Sequence, residues 1–155
     1  MRPHWVDRPG SVVFQLAVVF GLTVALGSWG CRVLTEARRA TAEQLAVVTL
    51  RQFGQALELY RMAQQEYPQE LTALGPPASV PPYVTPELIG DGTTARKQGY
   101  AFVYRRTNPQ SYTLRAHPLQ EGVTGVQHFL ATETIGQIYT TIESRDATTA
   151  DPLYP

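Results

Sequence analysis

The chain has 155 residues, with 13 Lys plus Arg against 13 Asp plus Glu, which removes any global electrostatic basis for binding nucleic acid. A 43% hydrophobic share implies a packed core rather than disorder. The single cysteine, Cys31, excludes an intramolecular disulfide and a cysteine metal cluster.

Residues 1–10 carry Arg2, His4 and Arg8 and read as a short leader-like segment ending at Gly10. From Ser11 to Cys31 there is no charged residue: 14 of these 21 positions are apolar and three are Gly. A hydrocarbon core about 30 Å thick needs roughly 20 helical residues, so this run predicts a transmembrane helix over 11–31. A secretory signal competes, although its apolar region is normally shorter. Cys31 adds a lipoprotein variant in which cleavage before it exposes a cysteine for acylation. Gly30 suits that cut, while Ser28 and bulky Trp29 do not. Arg2 and Arg8 on one side face Arg32, Arg38 and Arg39 on the other, so charge leaves the topology open.

The remaining 124 residues, 32–155, are expected to form one near-neutral globular domain. Between Arg32 and Glu66 there is no Pro and one Gly, Gly54, among good helix formers, which predicts that the helix continues over 32–66. Ala46, Leu50, Phe53, Leu57 and Tyr60 step by four, three, four and three, placing them on one face that needs a packing partner. Glu36, Arg38, Arg39, Glu43 and Gln44 form a polar collar before it. Six prolines between Pro68 and Pro86 then predict a loop over 67–99. Short aromatic and β-branched runs follow, predicting four strands within 100–142: Tyr100 to Arg106, Ser111 to His117, Gly125 to Ala131 and Gln137 to Ile142. In the second, Tyr112, Leu114 and Ala116 alternate with Thr113, Arg115 and His117, the pattern of a sheet covered on one side. The helix stripe is its natural cover. The tail, 143–155, has little apolar content and reads as loose. The expected class is α+β, a long N-terminal helix packed on a small antiparallel sheet.

The residues around the predicted leader carry a resemblance. Gly10-Ser11-Val12-Val13-Phe14-Gln15-Leu16 resembles the Gly-Phe-Thr-Leu-Ile-Glu-Leu frame of the type IV pilin and type II secretion pseudopilin family. Ala37-Arg38-Arg39-Ala40-Thr41-Ala42-Glu43 is similar to a stretch found at that distance in pilin-like sequences. Tyr67-Pro68 and Gly122-Val123-Thr124-Gly125 extend the likeness in outline. The resemblance implies cleavage between Gly10 and Ser11 by a prepilin peptidase and a single pass through a bacterial inner membrane. The C-terminal domain would then lie in the periplasm or in an extracellular filament, with other pilin or pseudopilin subunits and the lipid bilayer as partners. It implies no reaction and no cofactor. Gln15 occupies the assembly position where the family carries Glu, whose charge neutralises a neighbour's ammonium in the apolar filament core. That departure fits a minor or tip subunit, or an anchor no longer processed. The alternative from another class is a membrane-tethered or lipidated periplasmic binding module of similar architecture.

Other candidate chemistry is sparse. His117 and His128 fall in predicted strands without a recognisable metal or nucleophile motif. Glu133, Glu143, Asp146 and Asp151 have no calcium-ligand spacing and read as a solvated edge. Tyr104 with Arg105 and Arg106 is too small a patch to bind nucleic acid and reads as a charged strand end.

Overall fold

The computed structural model describes the backbone of residues 10–155 except Ile135, and side chains from Thr35 onward with the same exception. Helix α1 spans Gly10–Gln64. The chain divides into two compact units, Met1–Ala37 and Arg38–Pro155, and the second holds the globular domain. Among the described residues no helix is long and apolar enough to cross a membrane. The run 11–31, on which the spanning expectation rests, lies outside the residues whose side chains are described.

The helix ends two residues before the expected Glu66 because Gln65 turns to φ 65, the left-handed conformation that closes a helix. The Gln65 N–H donates to the Arg61 carbonyl at 2.7 Å, and its side-chain amide donates to Met62 O at 3.2 Å. Gln110 then donates to Gln65 O at 2.8 Å, so carbonyls of the last turn find side-chain donors.

The proline-rich segment contains more structure than a loop. A 3-10 turn at Leu71–Leu74 and another at Pro86–Leu88 bury Leu71, Leu74 and Leu88. At the Asp91-Gly92 turn, the Asp91 carboxylate accepts the N–H groups of Thr93 and Thr94 at 3.0 and 2.6 Å, which holds its carboxyl below the usual carboxylate range. From there the chain enters β1 (Thr94–Lys97), which pairs antiparallel with β2 (Tyr100–Asn108). β3 (Ser111–Pro118), β4 (His128–Thr132) and β5 (Ile138–Thr141) complete a sheet of five strands in sequence order, one more than expected. The fourth predicted strand starts close to β5. The third starts three residues late, because Gly125, Val126 and Gln127 belong to the β3–β4 loop.

One face of this sheet packs on the helix. Tyr100, Phe102 and Tyr104 from β2, Tyr112, Leu114 and Ala116 from β3, Phe129 and Ala131 from β4 and Ile138 from β5 are all buried in one cluster. Ala46, Leu50, Phe53 and Leu57 of α1 are buried in the same cluster, and Tyr60 packs against it half-buried. The Phe53 and Phe102 rings meet at 5.8 Å between centroids, and burial of a side chain that size stabilises by about 1.5–3 kcal/mol.

The other face is not bare, and the tail is not loose. Ala101, Leu130 and Ala147 are buried yet stand apart from the main cluster, and Arg115 on the outer face pairs with Asp146 at 2.9 Å. Thr140 N–H donates to Pro152 O, Tyr154 N–H donates to Ile138 O, and the Tyr154 ring meets Phe129 edge-on at 5.6 Å. Charge pairing and backbone bonds thus order a segment whose apolar content is low.

Candidate functional site

Four of the sequence-predicted positions, Gly10, Ser11, Gln15 and Cys31, lie outside the residues whose side chains are described. The packing stripe from Ala46 to Tyr60 faces inward. What α1 leaves outward is a second stripe: Val48, Leu59 and Met62 are 47%, 54% and 64% exposed, with exposed Gln52 and Gln55 between them. Positions 48, 55, 59 and 62 step by seven, four and three, so they share a helix face. That ridge lies between two grooves. One, of about 150 Å³, has Leu50, Gly54, Tyr112 and Ile138 among its lining residues. The other, of about 300 Å³, includes Ala56, Leu59, Tyr83 and Val84, and Gln55 borders both. A Cβ at Gly54 would lie 3.7 Å from the Tyr112 hydroxyl, ordinary contact distance, so the first groove owes its depth partly to this glycine.

A polar cluster fixes the C-terminal end of that ridge. Glu58 is 5% exposed although it sits on a helix otherwise edged with solvated charges. Its Oε1 accepts the Tyr67 hydroxyl, and its Oε2 accepts Arg61 Nη2 at 2.8 Å and Nε at 3.0 Å. The Arg61 guanidinium stands 5.6 Å from the centre of the Tyr67 ring, and Tyr67 meets Tyr112 edge-on at 4.7 Å. Tyr67 N–H donates to Pro109 O at 2.9 Å and the Tyr104 hydroxyl donates to Pro68 O at 2.6 Å. Burial, reinforced by the bond to Glu58, pushes the Tyr67 phenol well above its ordinary range. Tyr104 and Tyr112 are pushed up chiefly by burial as well, and the protonated hydroxyls of Tyr67 and Tyr104 act as donors. The cluster joins helix end, proline loop and β2–β3 turn. Sequence reasoning missed it because a glutamate in a helix is ordinarily solvated; the signal was Glu58 with Arg61 one turn later and a Tyr-Pro pair just beyond.

The opposite end of the domain has its own fastening. Val126 N–H donates to Glu43 Oε1 at 2.9 Å, and Tyr100 OH donates to Gln127 O at 3.1 Å. Between them the β3–β4 loop is compact, with the Leu119 N–H donating to Gly99 O at 2.8 Å.

The remaining polar candidates are mostly engaged in ion pairs. Arg145 pairs with Glu143 and Asp151, both at 2.5 Å, and Asp151 also accepts the Thr148 N–H at 2.7 Å. Those bonds, the one from Arg145 first, hold the Asp151 carboxyl far below its usual range. Among the described residues no group of three or more His, Cys, Asp or Glu is placed to hold a metal ion. Arg106 pairs with Glu66 at 2.8 Å, and the ring of Tyr104 is buried, so that tyrosine is not available to stack on a base.

No protein-family profile, curated protein or solved structure matches this chain. The ridge, its two grooves and the clasps at either end are therefore read on their own chemistry. They offer an apolar and amide-bearing surface on a rigid helix, which suits packing against another helix or strand.

Proposed function

We propose that this chain is a non-enzymatic structural subunit or assembly factor of a type IV pilus or type II secretion pseudopilus, with the role of a minor or tip subunit. The observation that carries the proposal is α1 itself, Gly10–Gln64, whose C-terminal part is the spine under a five-stranded antiparallel sheet while its N-terminal part follows the uncharged run of the sequence. In this reading 11–31 anchors the chain in a bacterial inner membrane and the domain projects into the periplasm or into a filament. Prepilin peptidase acts at Gly10 and Ser11. Neighbouring subunits pack head-to-tail on the α1 ridge, the kind of heterologous contact that yields an open helical array. Val48, Leu59 and Met62 supply the apolar side chains such a contact buries.

The test is photocrosslinking from Leu59 in cells that express the chain with its native neighbours. Adducts to another subunit with a prepilin-type leader are expected. Adducts confined to a soluble periplasmic ligand would replace this reading with that of a tethered binding module.

A further inference from the structure

On the outer face of the sheet two histidines are brought together by register. β3 and β4 pair with Ala116 opposite Phe129. Carried one residue further, the same register sets His117 at the end of β3 opposite His128 at the start of β4, on the face turned away from the helix, and the charge of His128 acts on His117. Side chains so placed have their Cβ atoms about 4.5–5.5 Å apart. The row continues on either side, with Ala101 opposite His117 and Thr141 opposite His128. Ala101 and Thr141 are both buried, so the pair lies in a partly covered trough rather than on open surface.

His128 has an unusual feature. Both of its ring nitrogens are buried, and neither has a hydrogen-bond partner among the described residues. A neutral imidazole carries one donor and one acceptor, and leaving both unmatched is a cost that native structures rarely accept without reason. The carboxylate nearest in effect is Asp146, whose charge acts on His117 while it pairs with Arg115 at 2.9 Å.

We propose that His117 and His128 form a two-imidazole site for a late first-row divalent ion, Zn(II), Ni(II) or Cu(II), on the outer face of the β-sheet. Imidazole nitrogen is the donor these ions share, whereas Mg(II) and Ca(II) take oxygen. The site needs both rings neutral, with one nitrogen of each directed to the ion; because both His128 nitrogens are buried, that ring must turn outward to reach an ion whose remaining positions are filled by solvent. Ligands drawn from two strands would tie β3 to β4 just where the β3–β4 loop begins. This inference is independent of the filament role proposed above.

The experiment uses the full chain in detergent with His4→Ala, so that His117 and His128 are the only imidazoles. Calorimetric titration with Zn(II) at pH 7.5 is expected to give one ion per chain and a higher Tm, since an ion that binds only the folded state stabilises it. His117→Asn and His128→Asn are each expected to weaken binding by more than the ~10-fold that loss of an outer-shell partner costs. In the protein retaining both strand histidines, the Cu(II) electron paramagnetic resonance spectrum is expected to show two equatorial nitrogens, a readout that does not depend on either variant folding. Absence of Zn(II) binding, equal binding of Mg(II), unchanged affinity in folded His117→Asn, or a single nitrogen on Cu(II) would each overturn the proposal.

Discussion

The hydroxyl of Tyr67 is bonded to the buried carboxylate of Glu58, nine residues earlier in the chain, and that bond crosses the point where the helix gives way to the proline segment. Tyr67→Phe keeps the ring against Tyr112 but leaves Glu58 Oε1 without its donor. A buried acceptor stripped of its partner costs about 1–3 kcal/mol. A lower Tm is expected, measured by circular dichroism on the detergent-purified protein, and Tyr139→Phe, at a half-buried position outside the main core, serves as a mild control. Tyr139→Phe loses only the half-buried bond to Gln137 at 3.1 Å, so equal effects of the two changes would show that burial of Glu58 adds nothing to the worth of its bond.

Phe53 offers a sharper test of the helix–sheet contact. It is fully buried beside Phe102, and Phe53→Ala removes most of a ring from a packed core, at a cost of about 3–5 kcal/mol. Phe53→Asp adds an unpaired buried charge and is expected to prevent folding of the domain. An unchanged thermal midpoint in either variant would place the main packing elsewhere.

Acid should weaken the outer face. Burial is the main influence that pulls the His117 imidazole below its ordinary value of 6.5; His128 acts in the same direction and Asp146 opposes them. Between the lowered folded value and 6.5, the unfolded chain binds more protons than the folded one, so stability rises with pH through that window. The contribution is complete above pH 6.5 and is lost as pH falls through the folded value. Thermal midpoints measured from pH 8 down to pH 5 should decline toward the acid end, and His117→Gln should flatten that decline. A curve of the same shape in His117→Gln assigns the effect to another group.

Arg145 is the hub of the ion pairs in the tail. Replacing it with Ala removes the ion-pair partner of both Glu143 and Asp151 and leaves Asp151 only its bonds from Thr148. Amide exchange across 144–152 is then expected to speed up, while exchange in β2 and β3 stays slow. Equal protection in both proteins would mean that Tyr154 and the backbone bonds hold the tail unaided.

Processing separates the two accounts of the first 31 residues. The filament reading expects a mature chain that begins at Ser11 with Cys31 unmodified, read from the intact mass of membrane-extracted protein. A mature chain beginning at an acylated Cys31 would remove it, because no apolar helix would remain to enter a filament core.

Local periodicity made α1, β2 and β3 legible: a stripe at helical spacing and an alternation at strand spacing each report burial directly. β1 was not legible, since Thr-Ala-Arg-Lys has neither a β-branched run nor apolar alternation. It is an edge strand defined by backbone pairing with β2, and Arg96 and Lys97 suit an edge that must not pair further. The start of β4 was misplaced for a similar reason, because the Val126 N–H is taken by Glu43, 83 positions away. Glu58 and Arg145 share this character. Their roles depend on partners that only the folded chain supplies, and charge in a sequence reads as solvated until a partner is known. Of the candidate site, the inward stripe was readable. The outward ridge was not, since Val48, Leu59 and Met62 are separated by polar positions and no contact marks them.

The bond between Glu43 and Val126 has a mechanical consequence. With the cluster around Tyr67, it fastens the sheet to the helix at two stations, Glu43 and Glu58, about 22 Å apart at 1.5 Å per residue. Tension carried along α1 into the domain would load both stations together, in shear across the intervening apolar contact rather than by peeling from one end. Rupture would then require simultaneous failure of two fastenings in different connecting segments, the β3–β4 loop and the start of the proline segment. Cutting the first station, by Glu43→Ala, would leave the sheet hinged at the second and convert a shear joint into one that unzips.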